Sequence, residues 1–301
     1  MDHVAALIPD VRDAILDWYA IHGRTLAFRR TSDPYAVLVS EIIAQQTQAE
    51  RAAARWERFM TRFPTVEELA NASPADVLRE WQGLGYDRRS LALWRAARII
   101  RDEHGGRVPA SIQALEALPG VGPYTAHAVG AIAFGMPVGA VDVNVERVIG
   151  RIAGAGARPP RREVQAVADR IVTSTDPATW THAVMDFGAT VCRPRNPRCD
   201  DCPIRASCAT AATAASGTYS AVGRQRATRP APPFHATNRW LRGRILDRLR
   251  QAPRSAWVPL HTPIGVHELD RVHRAAMALA ADGMIEIRRR EADLQARLTT
   301  H

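Results

Sequence analysis

Four cysteines, Cys192, Cys199, Cys202 and Cys208, crowd into one short stretch as C-x6-C-x2-C-x5-C, and the chain has no others. A thiolate is a soft ligand, and four from one loop can close around a single metal centre that pins the chain on either side. Disulfide frameworks belong to small domains, whereas 301 residues can bury a core without covalent staples. No apolar N-terminal stretch reads as a secretory signal. A reducing, cytoplasmic location is therefore expected. Zinc sites favour two close C-x2-C pairs, and only Cys199 and Cys202 form one. The spacing by itself leaves an iron–sulfur cluster, a zinc ion and four unrelated buried thiols as readings.

The formal net charge is +9, which suits a polyanionic partner. All forty basic side chains are arginine, since the sequence contains no lysine. Arginine favours planar, bidentate contacts with phosphate. No apolar run reaches the length of a membrane span, so no membrane partner is expected.

To about residue 210 the pattern is helical with short joints, giving an all-α class. Helical spacing runs through Val4–Tyr19, Tyr35–Gln45, Arg51–Phe63, Thr65–Asn71, Pro74–Gln82 and Arg89–His104. Asp33-Pro34, Thr65-x-x-Glu68 and Ser73-Pro74 supply helix starts, and Gly105-Gly106 a stop. Residues 211–237 read as a basic, Pro-rich linker carrying Arg224, Arg226 and Arg229. Residues 238–301 form a second unit. Asn238–Gln251 and Val266–Asp282 look helical, and Met284–Arg290 with Ala292–Leu298 alternate as a hairpin does. The order suggests a small winged-helix-like α+β module.

Three further strings carry chemistry. Leu118-Pro119-Gly120-Val121-Gly122 sits between helical runs, with Pro123-Tyr124-Thr125-Ala126 opening the second. Gly120 and Gly122 allow a tight turn and close backbone approach, and the helix start offers amides to a phosphate. Asp142 stands in Ala140-Val141-Asp142-Val143-Asn144, where it reads equally as a helix cap or a functional carboxylate. Glu41 lies in Ser40-Glu41-Ile42-Ile43-Ala44-Gln45-Gln46-Thr47-Gln48, behind the apolar Val37, Leu38 and Val39. Partial burial there would raise its pKa and keep a proton available.

These strings resemble the adenine DNA glycosylases of the endonuclease III, helix-hairpin-helix superfamily over about residues 10–210. The cysteine spacing is similar to that superfamily's [4Fe-4S] loop, and the resemblance implies a cluster held by Cys192, Cys199, Cys202 and Cys208. It implies a monofunctional enzyme of base excision repair that acts as a monomer on double-stranded DNA. Its substrate would be adenine opposite 8-oxoguanine or guanine. In the resembling family the glutamate at Glu41 protonates the purine, and the aspartate at Asp142 stabilises the oxocarbenium-like sugar. Tyr124 and Asn144 hold that carboxylate and the sugar. Gln46 wedges into the vacated stack, Arg29 lines the pocket, and Tyr86 in Trp81-x-Gly83-Leu84-Gly85-Tyr86 lies against the DNA. Arg193, Arg195 and Arg198, in the cysteine loop, are expected on phosphates.

The chain departs from the family pattern in three places. Ala27-Phe28 replaces Pro-Trp, Asp87 replaces a second, intercalating tyrosine, and the C-terminal unit resembles the short actinobacterial tail rather than the larger β-rich reader of 8-oxoguanine. Discrimination of 8-oxoguanine is accordingly expected to be weak and insensitive to removal of everything after about residue 237. Tyr124 takes the place of the lysine that forms a Schiff base in the endonuclease III branch. The expected architecture has two lobes. One spans about 25–135, the other 1–24 with 136–210, and Asp142 lies at the cleft. Two rival readings keep part of this: a thymine or uracil–guanine mismatch glycosylase of the same superfamily, and a non-catalytic iron–sulfur DNA-binding protein.

Overall fold

The computed structural model describes residues 2–154, 159–172, 175–214, 232–290 and 293–300. The expected basic linker falls mostly at 215–231, outside the described residues. The helices are α1 (Asp2–His22), α2 (Pro34–Ala44), α3 (Ala49–Arg62), α4 (Val66–Asn71), α5 (Pro74–Glu80), α6 (Arg88–Glu103) and α7 (Ile112–Glu116). They continue as α8 (Pro123–Phe134), α9 (Val143–Ile152), α10 (Arg161–Ile171), α11 (Pro177–Thr190), α12 (Ala209–Ala214), α13 (Asn238–Gln251) and α14 (Leu269–Ala281). Strands β1 (Val258–Pro259), β2 (Ile285–Arg290) and β3 (Asp293–Leu298) form one antiparallel sheet in the order β1-β3-β2.

Side chains that can accept from free helix-start amides set the boundaries. Asp33 accepts from Ala36 N at 2.8 Å, Thr65 from Glu68 N at 3.2 Å and Ser73 from Asp76 N at 3.1 Å. The helix expected over Val266–Asp282 begins later, at Leu269. Gly265 takes a φ of 59°, and the Trp240 ring lies where its Cβ would be, so this segment turns before it can wind. β1 escaped the sequence reading because two residues carry no alternation.

Contacts divide the chain into two compact units, Met1–Ile42 with Val108–Arg226, and Ile43–Arg107 with Ala227–His301. The first has a core in which Val11 and Ile15 of α1 meet Val145 and Ile149 of α9, Val164 and Val167 of α10, and Phe187 of α11. In the second, Leu78 of α5 and Leu91 of α6 share one core with Leu241, Ile245 and Leu249 of α13 and Leu279 of α14. This grouping differs from the expected lobes. The 118–122 hairpin packs with the cysteine-bearing unit, and the C-terminal module shares its core with α5 and α6 instead of standing apart. The reason is the incomplete burial of a short module: its apolar face finds its cover on α5 and α6.

Polar contacts reinforce that seam. Arg250 pairs with Asp87 and donates Nε to Leu78 O at 2.9 Å, while Arg88 and Arg242 share Asp282. Truncation after residue 237 should therefore destabilise the unit, because it bares the apolar faces of α5 and α6 to water and removes Arg250 from Asp87. Thermal unfolding of the truncated protein checks this, and an unchanged melting temperature would mean that the module is merely tethered.

Candidate active site

The first unit gathers Glu41, Tyr124, Asp142, Asn144 and Arg29. Glu41 projects from α2 and is 7% exposed. Burial pushes its carboxyl up to about 7. The Tyr124 hydroxyl, which hydrogen-bonds it, and the Arg29 charge oppose that rise, while the Asp142 charge adds to it. Such a carboxyl keeps a proton to give near neutrality. Burial also raises the Tyr124 phenol well above its ordinary range, so it stays a donor. Its oxygen lies 3.5 Å from Met185 Sδ on α11.

Asp142 is the N-cap of α9, so one of its two sequence readings holds outright. Oδ1 accepts from Asn144 N and Val145 N, both at 2.8 Å, and Oδ2 accepts from Asn144 Nδ2 at 2.7 Å. Capping does not compete with a chemical role, because three N–H donors fix the carboxylate plane while the side chain remains half-buried. Asn144 Oδ1 in turn accepts from Arg147 Nη2 at 2.7 Å, and the same nitrogen donates to Gly188 O at 2.6 Å. Arg147 Nε donates to Cys192 O at 2.7 Å. A continuous polar path thus runs from the cysteine loop to Asp142, and Arg147 is a residue that sequence reasoning missed. Its only prior signal was its place one helical turn after Val143.

Arg29 sits in the short 3-10 turn Ala27–Arg30. It donates Nη1 and Nη2 to Asp186 at 2.7 Å each, and Arg24 adds Nε at 2.8 Å and Nη2 at 2.6 Å. Burial alone would raise the Asp186 pKa, but the hydrogen bonds from Arg29 and Arg24 outweigh it and hold the carboxyl at about 2. Arg29 Nε is buried without a hydrogen-bond partner. Asp186 was also missed, since nothing in Val184-Met185-Asp186-Phe187 marks it in advance.

The hairpin forms as expected. Gly120 has a φ of 83°, Val121 N donates to Leu118 O at 3.1 Å, and Gly122 opens α8. A Cβ on Gly122 would meet nothing within 4 Å, so the backbone there is open to approach. The four cysteines line one apolar cavity of about 50 Å³. Burial, with the other thiols adding, pushes Cys202 up to about 11. Arg151 Nη1 lies 3.3 Å from Cys192 Sγ and donates to Arg193 O at 2.8 Å. Four soft thiols around one cavity suit a thiolate-held metal centre. Arg195 and Arg198 are exposed, whereas Arg193 is half-buried and donates to Asn196 O at 2.8 Å.

Gln46 and Tyr86 belong to the second unit and form their own group. Both are non-glycine residues at positive φ, 54° and 49°. Arg89 ties their loops together: it bonds the carbonyls of Ile43, at 3.3 Å, and Gln45 on one side, and of Leu84, at 3.3 Å, and Gly85, at 3.1 Å, on the other.

Residues 39–173 match the profile of the HhH-GPD superfamily base excision DNA repair proteins. An adenine DNA glycosylase of Mycolicibacterium smegmatis is 35% identical over 90% of this chain and 91% of its own length. The chain belongs to the adenine DNA glycosylases. The human adenine DNA glycosylase is 38% identical over 65% of this chain, but only 38% of that longer protein is covered. Among solved structures, a thermostable thymine-DNA glycosylase superposes with a TM-score of 0.65 at 28% identity, over 68% of this chain and 97% of that one. An endonuclease III–DNA complex superposes with a TM-score of 0.62 at 22% identity, over 70% and 98% respectively, which establishes the shared fold. No helix among the described residues is long and apolar enough to cross a membrane.

The buried Glu41 gives this candidate site a thermodynamic signature. A carboxyl raised from 4.5 to about 7 binds its proton more tightly folded than unfolded. Folding stability therefore falls as pH climbs from 4.5 through 7, by ~3 kcal/mol at most, and the deficit persists above. Glu41→Gln should melt higher than the parent at pH 8 and show little gain near pH 5, by scanning calorimetry. A lower melting temperature at pH 8 would mean that the Glu41 carboxylate is stabilised where it sits.

Proposed function

We propose that this chain is a monofunctional glycosylase that removes adenine mispaired with 8-oxoguanine or guanine in double-stranded DNA. The observation that carries the reading is the buried Glu41, with its carboxyl near 7, beside a carboxylate fixed by three N–H donors. Glu41 supplies a proton to the purine ring, which makes adenine a neutral leaving group. The base–sugar bond then breaks with its electrons going to adenine, and positive charge grows on the deoxyribose. Asp142 faces that charge, and an electrostatic partner set in place beforehand costs no reorganisation in the transition state. Water adds to the sugar and leaves an abasic site. Asn144 orients Asp142, and Tyr124 orients Glu41. Arg29 lines the pocket with its Asp186 partner beneath it. Gln46 fills the stack, which offsets the few kcal/mol that base extrusion costs. Gly120, Gly122, Arg195 and Arg198 take phosphates, while Arg193 contributes mainly by shaping its loop.

Cys192, Cys199, Cys202 and Cys208 would hold a [4Fe-4S] cluster. Bound there, it cross-links the loop that begins at α11 and leads to α12. No step of the hydrolysis runs through it. Protein purified without oxygen should contain about four irons and no stoichiometric zinc by elemental analysis; the reverse count would replace the cluster with zinc.

The reading is tested by single-turnover excision on duplexes carrying A:8-oxoguanine, A:G, T:G and thymine glycol. Adenine should leave the first two and fall off in rate as pH rises through about 7. Asp142→Asn should lose about 100-fold or more while still binding DNA. Borohydride should trap no protein–DNA adduct, because Tyr124 cannot form a Schiff base and the sequence has no lysine. Release of thymine from T:G with adenine retained would favour the thymine-directed rival.

A further inference from the structure

The unit formed by Ile43–Arg107 and Ala227–His301 contains a cleft that no step of the proposed reaction uses. It opens between α5, the turn after α13 and the end of β3, with a volume of about 220 Å³. Ala256 N donates to Pro253 O at 3.1 Å and Ser255 takes a φ of 65°, so the chain swings away sharply after α13. Ala75, Leu249 and Leu298 line the cleft, and all three belong to the core that α5 shares with the C-terminal module. The cleft is therefore a part of the folded unit and not a gap beside it.

Its polar lining is lopsided. Arg79, Arg254 and Arg297 come from three separate elements, whereas Asp76 is the one acid among the described residues that line it. Asp76 lies 3.0 Å from Arg254 and 3.9 Å from Arg79. The second distance is too long for a hydrogen bond. The Arg79 guanidinium thus makes none among the described residues, although its side chain is only 24% exposed. Arg297 spends Nε and Nη2 on Glu286 Oε2, at 2.9 and 2.6 Å, and keeps Nη1. The hydroxyls offer less, because Ser73 donates to Asp76 at 2.9 Å and Thr300 to Glu286 at 3.2 Å. The donors left over are guanidinium N–H groups, and a mostly buried donor costs free energy until an acceptor reaches it.

Three cations around one recess call for an oxyanion. A carboxylate brings two oxygens and a single charge. A phosphate brings three oxygens and a charge of about −1.5 to −2, which matches arginines spread over three elements. The volume lies below the roughly 300–1,000 Å³ of sites for drug-sized ligands, so the ligand is a phosphate with at most a small body attached. We propose that this cleft binds a phosphate group through Arg79, Arg254 and Arg297. The group belongs to a free phosphate or nucleotide, or to the end of a DNA strand. A recess suits a terminal phosphate, which carries one sugar, rather than a phosphodiester flanked by two.

The test is calorimetric titration of the full chain at constant ionic strength, and it needs no catalysis. The probes are inorganic phosphate, thymidine 5′-monophosphate, acetate, and two lesion-free duplexes that differ only in a 5′-phosphate or a 5′-hydroxyl. Phosphate and the nucleotide should bind saturably, and acetate should not. Arg254→Ala should weaken that binding about tenfold, the scale of one lost charge-assisted contact. Its side chain is 74% exposed, so the fold should be undisturbed. Arg79→Gln should weaken it by a similar factor. Asp76→Asn should act in the opposite direction and tighten binding several-fold, because it frees Arg254 and Arg79 from their shared carboxylate. Damage to the fold cannot mimic that gain. Tighter binding of the 5′-phosphorylated duplex, lost in Arg254→Ala, would support the proposal with a DNA end as the source. Equal binding of the two duplexes beside saturable nucleotide binding would support it with a free phosphate as the source. No saturable phosphate binding by the parent, acetate binding as tight as phosphate, or parent affinity in both Arg254→Ala and Asp76→Asn would overturn it.

Discussion

A carboxylate sealed from water must be neutralised where it lies, and Asp186 is such a group. Its side chain is 0% exposed and accepts five N–H bonds from Arg24 and Arg29. Removing either arginine would leave a buried charge half compensated, at a cost of several kcal/mol. The geometry of the candidate site follows from that requirement. Asp186 lies on α11, so the two arginines draw the segment after α1 onto that helix. They fix Arg29 beside Glu41, and Met185, the neighbour of Asp186, supplies the contact under the Tyr124 hydroxyl. The group that stays charged sets the stage for the one that stays protonated. Burial raises both carboxyls; it keeps Glu41 up at about 7, whereas the hydrogen bonds from Arg29 and Arg24 bring Asp186 down to about 2.

A second constraint runs through α9. A helix start leaves amides that need acceptors, and Asp142 meets that need with its carboxylate plane fixed. Asn144 and Arg147 extend the network to the backbone of Cys192. The cysteine loop and the carboxylate therefore share one hydrogen-bonded frame, and a disturbance of the loop has a direct route to Asp142.

Much of this was legible in the residues and some was not. Helix starts were readable because Asp33, Thr65 and Ser73 are local devices whose partners lie three residues on. Glu41 was readable because its apolar neighbours announce burial. Asp186 and Arg147 were not, since their partners stand 157 and 45 residues away in sequence. The packing of the C-terminal module was not legible for the same reason. Its helices and hairpin could be read from periodicity, but nothing in them says that Leu241 and Ile245 share a core with Leu78 and Leu91. Asp87 looked like a loss when set against the family pattern. Arg250, which explains it, lies 163 residues further along the chain.

Arg89 holds the turn at Gln46 and the turn at Tyr86 through four backbone carbonyls, and both turns carry a side-chain residue at positive φ. The conformational cost of those two backbones is met during folding, once per molecule, rather than at each encounter with DNA. Turns held in this way meet any partner already ordered, so no folding step is repeated at each encounter.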